Sequence, residues 1–189
     1  MTRVKLVFTC LIIQFSLSAQ TLPYLEWATY QGGAGDESFR DMAIDVSGNV
    51  YVIGTTSGVS GIATAGASQT TNNGGMDVFL AKYSPQGDRI WSTYFGGESD
   101  DFGQGIDIDA GGNILVTGKT ISVSGIAFGA AFQPVKNSGE DIYIAKFDQN
   151  GNKLWATYYG GPGDDRANSI AGDLSGNLVI AGWTTSSAN

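Results

Sequence analysis

The chain has 189 residues, a formal net charge of −8 and a pI near 4.3. An acidic surface repels phosphate backbones, which argues against a nucleic-acid partner. There is no His, and the one Cys is Cys10, so Ser-His-Asp triads, Cys-His dyads, imidazole bases and His-ligated zinc are excluded.

Residues 1–19 carry the pattern of a secretory signal peptide. Arg3 and Lys5 give a short basic start, Val7 to Leu17 is mostly apolar, and Leu17-Ser18-Ala19 offers small residues for cleavage before Gln20. The apolar run is shorter than the roughly 20 residues a membrane span requires. Secretion to the cell exterior or surface is therefore the expected route. Cleavage would remove Cys10, which is not placed for lipid attachment, and leave a mature chain stabilised without disulfides.

From residue 24 onward the chain repeats with a period of 64. Trp27-Ala28-Thr29-Tyr30-x-Gly32-Gly33 returns as Trp91-Ser92-Thr93-Tyr94-x-Gly96-Gly97 and again as Trp155-Ala156-Thr157-Tyr158-x-Gly160-Gly161. Residues 27–90 and 91–154 are identical at 26 of 64 positions without a gap, so they are copies of one unit.

Each unit contains four strand signals. Asp41 to Val46 is followed by Ser47-Gly48-Asn49 and Val50 to Thr56, two β-rich runs about a turn that tolerates positive φ. The copies are Ile106–Asp109 with Ile114–Thr120, and Ile170–Leu174 with Leu178–Thr184. A second hairpin follows: Asp77 to Tyr83 turns at residues 84–88 and returns as Arg89 to Tyr94, copied as Asp141–Phe147 and Lys153–Tyr158. Between the hairpins lie long loops, 57–76 and 121–140, rich in Gly, Ala, Ser and Thr. No segment shows helical periodicity, and 28 glycines oppose long helices. Four antiparallel strands per repeat is the composition of a propeller blade. A β-solenoid is the alternative, but its repeats are shorter and lack paired hairpins.

The recurring Trp-Ser/Ala-Thr-Tyr-x-Gly-Gly, the acidic pair after it, Ile-x-x-Asp-x-x-Gly-Asn-x-x-Val-x-Gly-x-Thr, and Asp-Ile/Val-Tyr/Phe-x-Ala-Lys together resemble the SBBP family of bacterial β-propeller repeats. The resemblance covers almost all of residues 24–186. It implies a propeller in a secreted or cell-surface protein, and it carries no common catalytic set. The expectation is an all-β fold with four-stranded blades and an incomplete ring. Its parts are a lone strand at 24–30, blades at about 40–94 and 104–158, and a partial blade at about 168–184. Closure needs about four to eight blades, so an N-terminal piece of a longer chain is expected, or a ring completed by self-association.

Acidic pairs recur a few residues after each Gly-Gly: Asp36-Glu37, Asp100-Asp101 and Asp164-Asp165. They are candidate Ca²⁺ ligands, since carboxylates suit a hard cation. The competing expectation is that each Asp accepts main-chain N–H bonds between blades. Asp148-Gln149-Asn150-Gly151-Asn152 resembles half a calcium loop but is expected to be a hairpin turn. The three repeated Trp residues are expected to pack between blades. Lys82 and Lys146 are expected to pair with Asp77 and Asp141 or with a neighbouring blade. The expected function is a non-enzymatic scaffold for binding a protein or glycan, or for adhesion. The alternatives are a lyase or glycosidase in the channel, for which Glu98 and Glu140 are blade-unique acids, or a module presenting a downstream domain.

Overall fold

The computed structural model describes residues 11–16 and 24–187. The strands run β1 (Leu11–Ser16), β2 (Tyr24–Tyr30), β3 (Glu37–Ile44), β4 (Val50–Thr56), β5 (Asp77–Tyr83), β6 (Arg89–Phe95), β7 (Asp101–Ile108), β8 (Ile114–Thr120), β9 (Asp141–Phe147), β10 (Lys153–Tyr159), β11 (Asp165–Gly172) and β12 (Leu178–Thr184). Strands β3 to β6 form one four-stranded antiparallel sheet and β7 to β10 a second, each paired in chain order. β11 and β12 pair as the first hairpin of a third unit. The fold is all-β, built of blades that are not closed into a ring.

The first strand of each blade starts earlier than the sequence signals suggest, at Glu37, Asp101 and Asp165, and ends before the turn Asp. Two facts hid it. The segments Ser38-Phe39-Arg40 and Phe102-Gly103-Gln104 lack β-branched residues, and each strand carries a bulge, at Arg40, Gln104 and Asn168. The turn Asp then leaves the strand because its carboxylate serves the turn. Asp45 Oδ1 accepts from the Ser47 and Asn49 N–H groups, both at 2.9 Å. Asp109 and Asp173 repeat this, and Gly48, Gly112 and Gly176 supply the positive φ.

Both faces of the first blade are covered. Period-2 alternation in β5 sends Val78 and Leu80 to one side and Phe79, Ala81 and Tyr83 to the other. The first set packs with Tyr51, Ile53 and Phe95 against Ile106, Tyr143 and Phe147 of the second blade. The second set packs under Trp27 of β2. Strands β4 and β5 are consequently buried along their whole length, whereas β12, which no further strand covers among the described residues, is mostly exposed.

The signal segment expected at 1–19 lies mostly outside the described residues, as does its cleavage site. Its Leu11–Ser16 stretch forms β1, antiparallel to β2, with Leu11 opposite Tyr30 and a shift between Gln14 and Phe15. Phe79 opposite Tyr94, with a shift at Lys82/Tyr83, is the same register in the β5–β6 pair. β1 thus stands beside β2 as a third strand stands beside a fourth.

The long loops have a structural duty that their composition concealed. Each lies along the outer edge of its blade's fourth strand. Thr64 N donates to Ser92 O and Tyr94 N to Gln69 O; in the second blade Phe128 exchanges bonds with Ala156 and Tyr158 N donates to Gln133 O. This covers an edge that would otherwise be open for pairing. The shared Val-Ser-Gly-Ile-Ala anchors the loop through Ile62 and Ile126, both fully buried.

Candidate functional site

The acidic pairs stand at the blade junctions, and their two members do different things. The leading Asp ties a neighbouring loop: Asp100 Oδ1 accepts from Met76 N at 2.9 Å and Asp164 Oδ1 from Glu140 N at 3.0 Å. Asp36 instead engages Ser57, whose hydroxyl accepts from the Asp36 N–H at 2.9 Å. The second member opens the first strand. Asp101 Oδ2 accepts from Gly97 N at 2.7 Å and from the Ser122 hydroxyl at 2.9 Å, and Asp165 Oδ2 repeats this with Gly161 N and Ser186. Glu37, one carbon longer, accepts from the Thr56 hydroxyl at 2.9 Å. Among the described residues, no group of three or more Asp or Glu side chains converges as a metal cage.

The turn at Asp148 is a hairpin turn. Asp148 Oδ1 accepts from Asn150 N and Asn152 N and Oδ2 from Asn152 Nδ2; burial would raise its carboxyl, and these bonds outweigh it and hold the group below the usual range. The repeated Lys residues do not pair with Asp77 and Asp141. Lys82 reaches Gln149 O of the next blade and lies 5.0 Å over the Tyr51 ring, whereas Lys146 pairs with Asp109 at 2.6 Å.

The tryptophans bind blade to blade. Trp27 Nε1 donates to Pro85 O at 2.9 Å and Trp91 Nε1 to Gln149 O at 3.0 Å, each reaching the second hairpin turn of the following blade. Each indole lies on that turn's glycine. A Cβ on Gly87 would sit 2.7 Å from the Trp27 ring, and one on Gly151 2.9 Å from the Trp91 ring. Both glycines also have positive φ, 88° and 81°. Gly151→Ala is therefore expected to lower stability by about 1–3 kcal/mol, measured by urea unfolding, through crowding of the indole together with backbone strain.

The two blade-unique acids are already engaged. Glu98 accepts from Val123 N, Ser124 N and the Ser124 hydroxyl, and these bonds hold its carboxyl below the usual range. Glu140 pairs with Lys119 at 2.9 Å and also with Arg166. Neither has the free carboxylate geometry of an acid/base pair.

Surface features that differ between blades are candidates for recognition. The bulged residues Arg40, Gln104 and Asn168 occupy one repeated position in the first strands with three different side chains, all at least partly exposed. Sequence periodicity could not mark them, because a bulge is invisible until the register is known. The loop of the first blade shows Thr64, Ser68 and Thr71 where the second shows Phe128, Phe132 and Val135. Phe132 is 81% exposed and Val135 69%. Phe132 lies over Tyr159, with centroids 6.4 Å apart, at the mouth of an open groove of about 840 Å³. Ile142, Ile180 and Trp183 line the same groove, and Arg166 lies 4.6 Å from the Trp183 ring.

Residues 26–60, 90–126 and 154–187 match the family described as Beta-propeller repeat, SBBP. The chain belongs to this family. A second likeness is to an uncharacterized WD repeat-containing protein of Acanthamoeba polyphaga mimivirus, 26% identical over 130 residues. That match takes in 57% of this chain but spans only 9% of the viral protein's length. The SBBP matches each run from the Trp-bearing fourth strand through the following first hairpin into the long loop, so the family unit straddles two blades and includes the Trp-bearing strand. No helix among the described residues is long and apolar enough to cross a membrane.

Proposed function

We propose that this SBBP repeat chain is part of a secreted or cell-surface scaffold that binds a protein partner through the loop-bearing outer side of its blades, without carrying out chemistry. One observation carries the reading. The residues that hold the blades are repeated, while the exposed residues of the loops change from hydroxylic in the first blade to aromatic and branched in the second. Exposed aromatic and apolar side chains on a rigid support are what protein recognition uses. Engagement of Glu98 and Glu140 in structural bonds argues against the glycosidase or lyase alternative. Likeness to a WD repeat-containing protein agrees with an interaction role.

The test exchanges the second blade's exposed loop residues for those of the first, as Phe132→Ser with Val135→Thr. Capture of extracellular partners should fall at least tenfold while thermal stability stays within about 0.5 kcal/mol, the usual range for surface substitutions. Undiminished capture would reject the loop as the binding surface. A glycan array, run in parallel, separates a sugar partner from a protein one.

A further inference from the structure

Buried polar atoms in a folded protein almost always have partners, and the exceptions point to water, an ion or a function. Three such exceptions belong to groups gathered near the seam of the first and second blades: Asp77 Oδ1, Asp101 Oδ1 and the Tyr143 hydroxyl. All three residues are fully buried. The two carboxylates are held beside each other by the main chain, because Asp101 N donates to Met76 O at 2.6 Å. They bracket Gly96-Gly97. A Cβ at Gly96 would lie 2.5 Å from Asp77 Oδ1, and Gly97 N donates to Asp101 Oδ2. The outer oxygen of each acid is occupied: Asp77 Oδ2 accepts from Gln69 Nε2 and Asn73 N, and Asp101 Oδ2 from Gly97 N and Ser122. Neither acid takes part in any of the ion pairs found among the described residues.

The next seam repeats the arrangement with one change. A point beside Gly160 lies 2.8 Å from Asp165 Oδ2 and 3.0 Å from Asp141 Oδ1, and Asp141 Oδ1 is likewise buried without a hydrogen-bond partner. There, position 136 is Lys where the first blade has Asn72. Lys136 Nζ donates to Asn137 O and to Gly139 O, as Asn72 Nδ2 donates to Gly75 O; burial pushes Asp141 up, and the Lys136 charge opposes that in part. A lysine charge thus acts on Asp141 at the second seam, and the first seam has Asn72 in its place. Burial, with the neighbouring Asp101 charge, pushes Asp77 up to about 6; burial, with Glu98, does the same to Asp101. Two close buried carboxylates without a counter-charge are unfavourable near neutral pH.

We propose that Asp77 and Asp101 hold a divalent cation of the calcium type at the seam between the first two blades, and that Lys136 takes over the cation's role at the next seam. Two carboxylate oxygens, completed by main-chain carbonyl and water oxygens, form a donor set a hard cation accepts. Such a site stabilises the blade pair and ties two units into one body.

The experiment uses the intact chain after treatment with a chelator, titrated with calcium chloride at constant ionic strength. One equivalent should bind by calorimetry, and at a hundredfold excess over the dissociation constant the melting temperature should rise by roughly 5–10 °C. Asp77→Asn should abolish the binding and the rise. Asn72→Lys, which places the second seam's own side chain in the first, should raise the metal-free melting temperature and also abolish the calcium response. This second variant keeps the test informative if Asp77→Asn does not fold. Absence of calcium binding by the parent chain, or an unchanged calcium response in Asn72→Lys, would overturn the proposal. A parent chain insensitive to calcium but stabilised on lowering the pH from 7 to 5 would show a pair that takes up protons instead.

Discussion

Phe95→Ala is expected to lower the stability of the chain by about 3–5 kcal/mol, the range for removing a buried aromatic side chain. Phe95 ends β6 of the first blade but is 1% exposed because its ring crosses the seam. It meets Tyr143 and Phe147 of β9 edge-on, with centroids 5.2 and 5.7 Å apart, and the Lys153 ammonium lies 5.3 Å from its centre. Alanine leaves a cavity between two rigid sheets that cannot close around it, and edge-to-face contacts are lost with the area. Urea unfolding measures the loss. Phe132→Ala is the control, since that ring is exposed and its removal should change stability by no more than about 0.5 kcal/mol. Equal effects at the two positions would mean that the seam is not where the apolar energy lies.

A single methyl group should be almost as damaging at Gly118. The bulge at Gln104 presses the first strand of the blade onto the second, and a Cβ on Gly118 would sit 1.8 Å from Phe102 O and 2.9 Å from the Tyr143 hydroxyl. Neither neighbour can withdraw without moving a buried strand, so Gly118→Ala is expected to cost about 1–3 kcal/mol or more. The same glycine recurs as Gly54 and Gly182. At Gly182 the added carbon would lie 2.0 Å from Arg166 O, but β12 is exposed and can shift. Gly182→Ala should therefore be milder. Denaturant midpoints of the two variants, compared at equal slope, check the order.

These glycines show how much of the structure is legible in one sequence. The 64-residue period, the paired hairpins and the Gly-bearing turns all follow from residues that are local signals, and their positions agree with the strands found. What escaped was set by contacts distant along the chain. The early start of β3, β7 and β11 depends on a bulge, which only pairing with the second strand reveals. The long loops look like free surface by composition, yet Ile62 and Ile126 anchor them in the core. The repeated acids were legible as a pair recurring after each Gly-Gly, and their pattern did not say which were consumed by main-chain bonds. Asp77 was legible only as a possible partner for Lys82, because its approach to Asp101 is made by a hydrogen bond 24 residues on, from Asp101 N to Met76 O.

Clasped by the Trp-on-Gly contacts and the shared aromatic seam, neighbouring blades are expected to unfold as one cooperative unit. Repeat proteins behave in this way only when the interfaces between units are strong. The measurement is equilibrium unfolding of the intact chain in urea, followed by tryptophan fluorescence, which reports on the seams, and by far-ultraviolet circular dichroism, which reports on the sheets. One transition with coincident midpoints for both signals is expected. Tryptophan fluorescence that changes in a separate, earlier transition, with the sheets still intact, would contradict it.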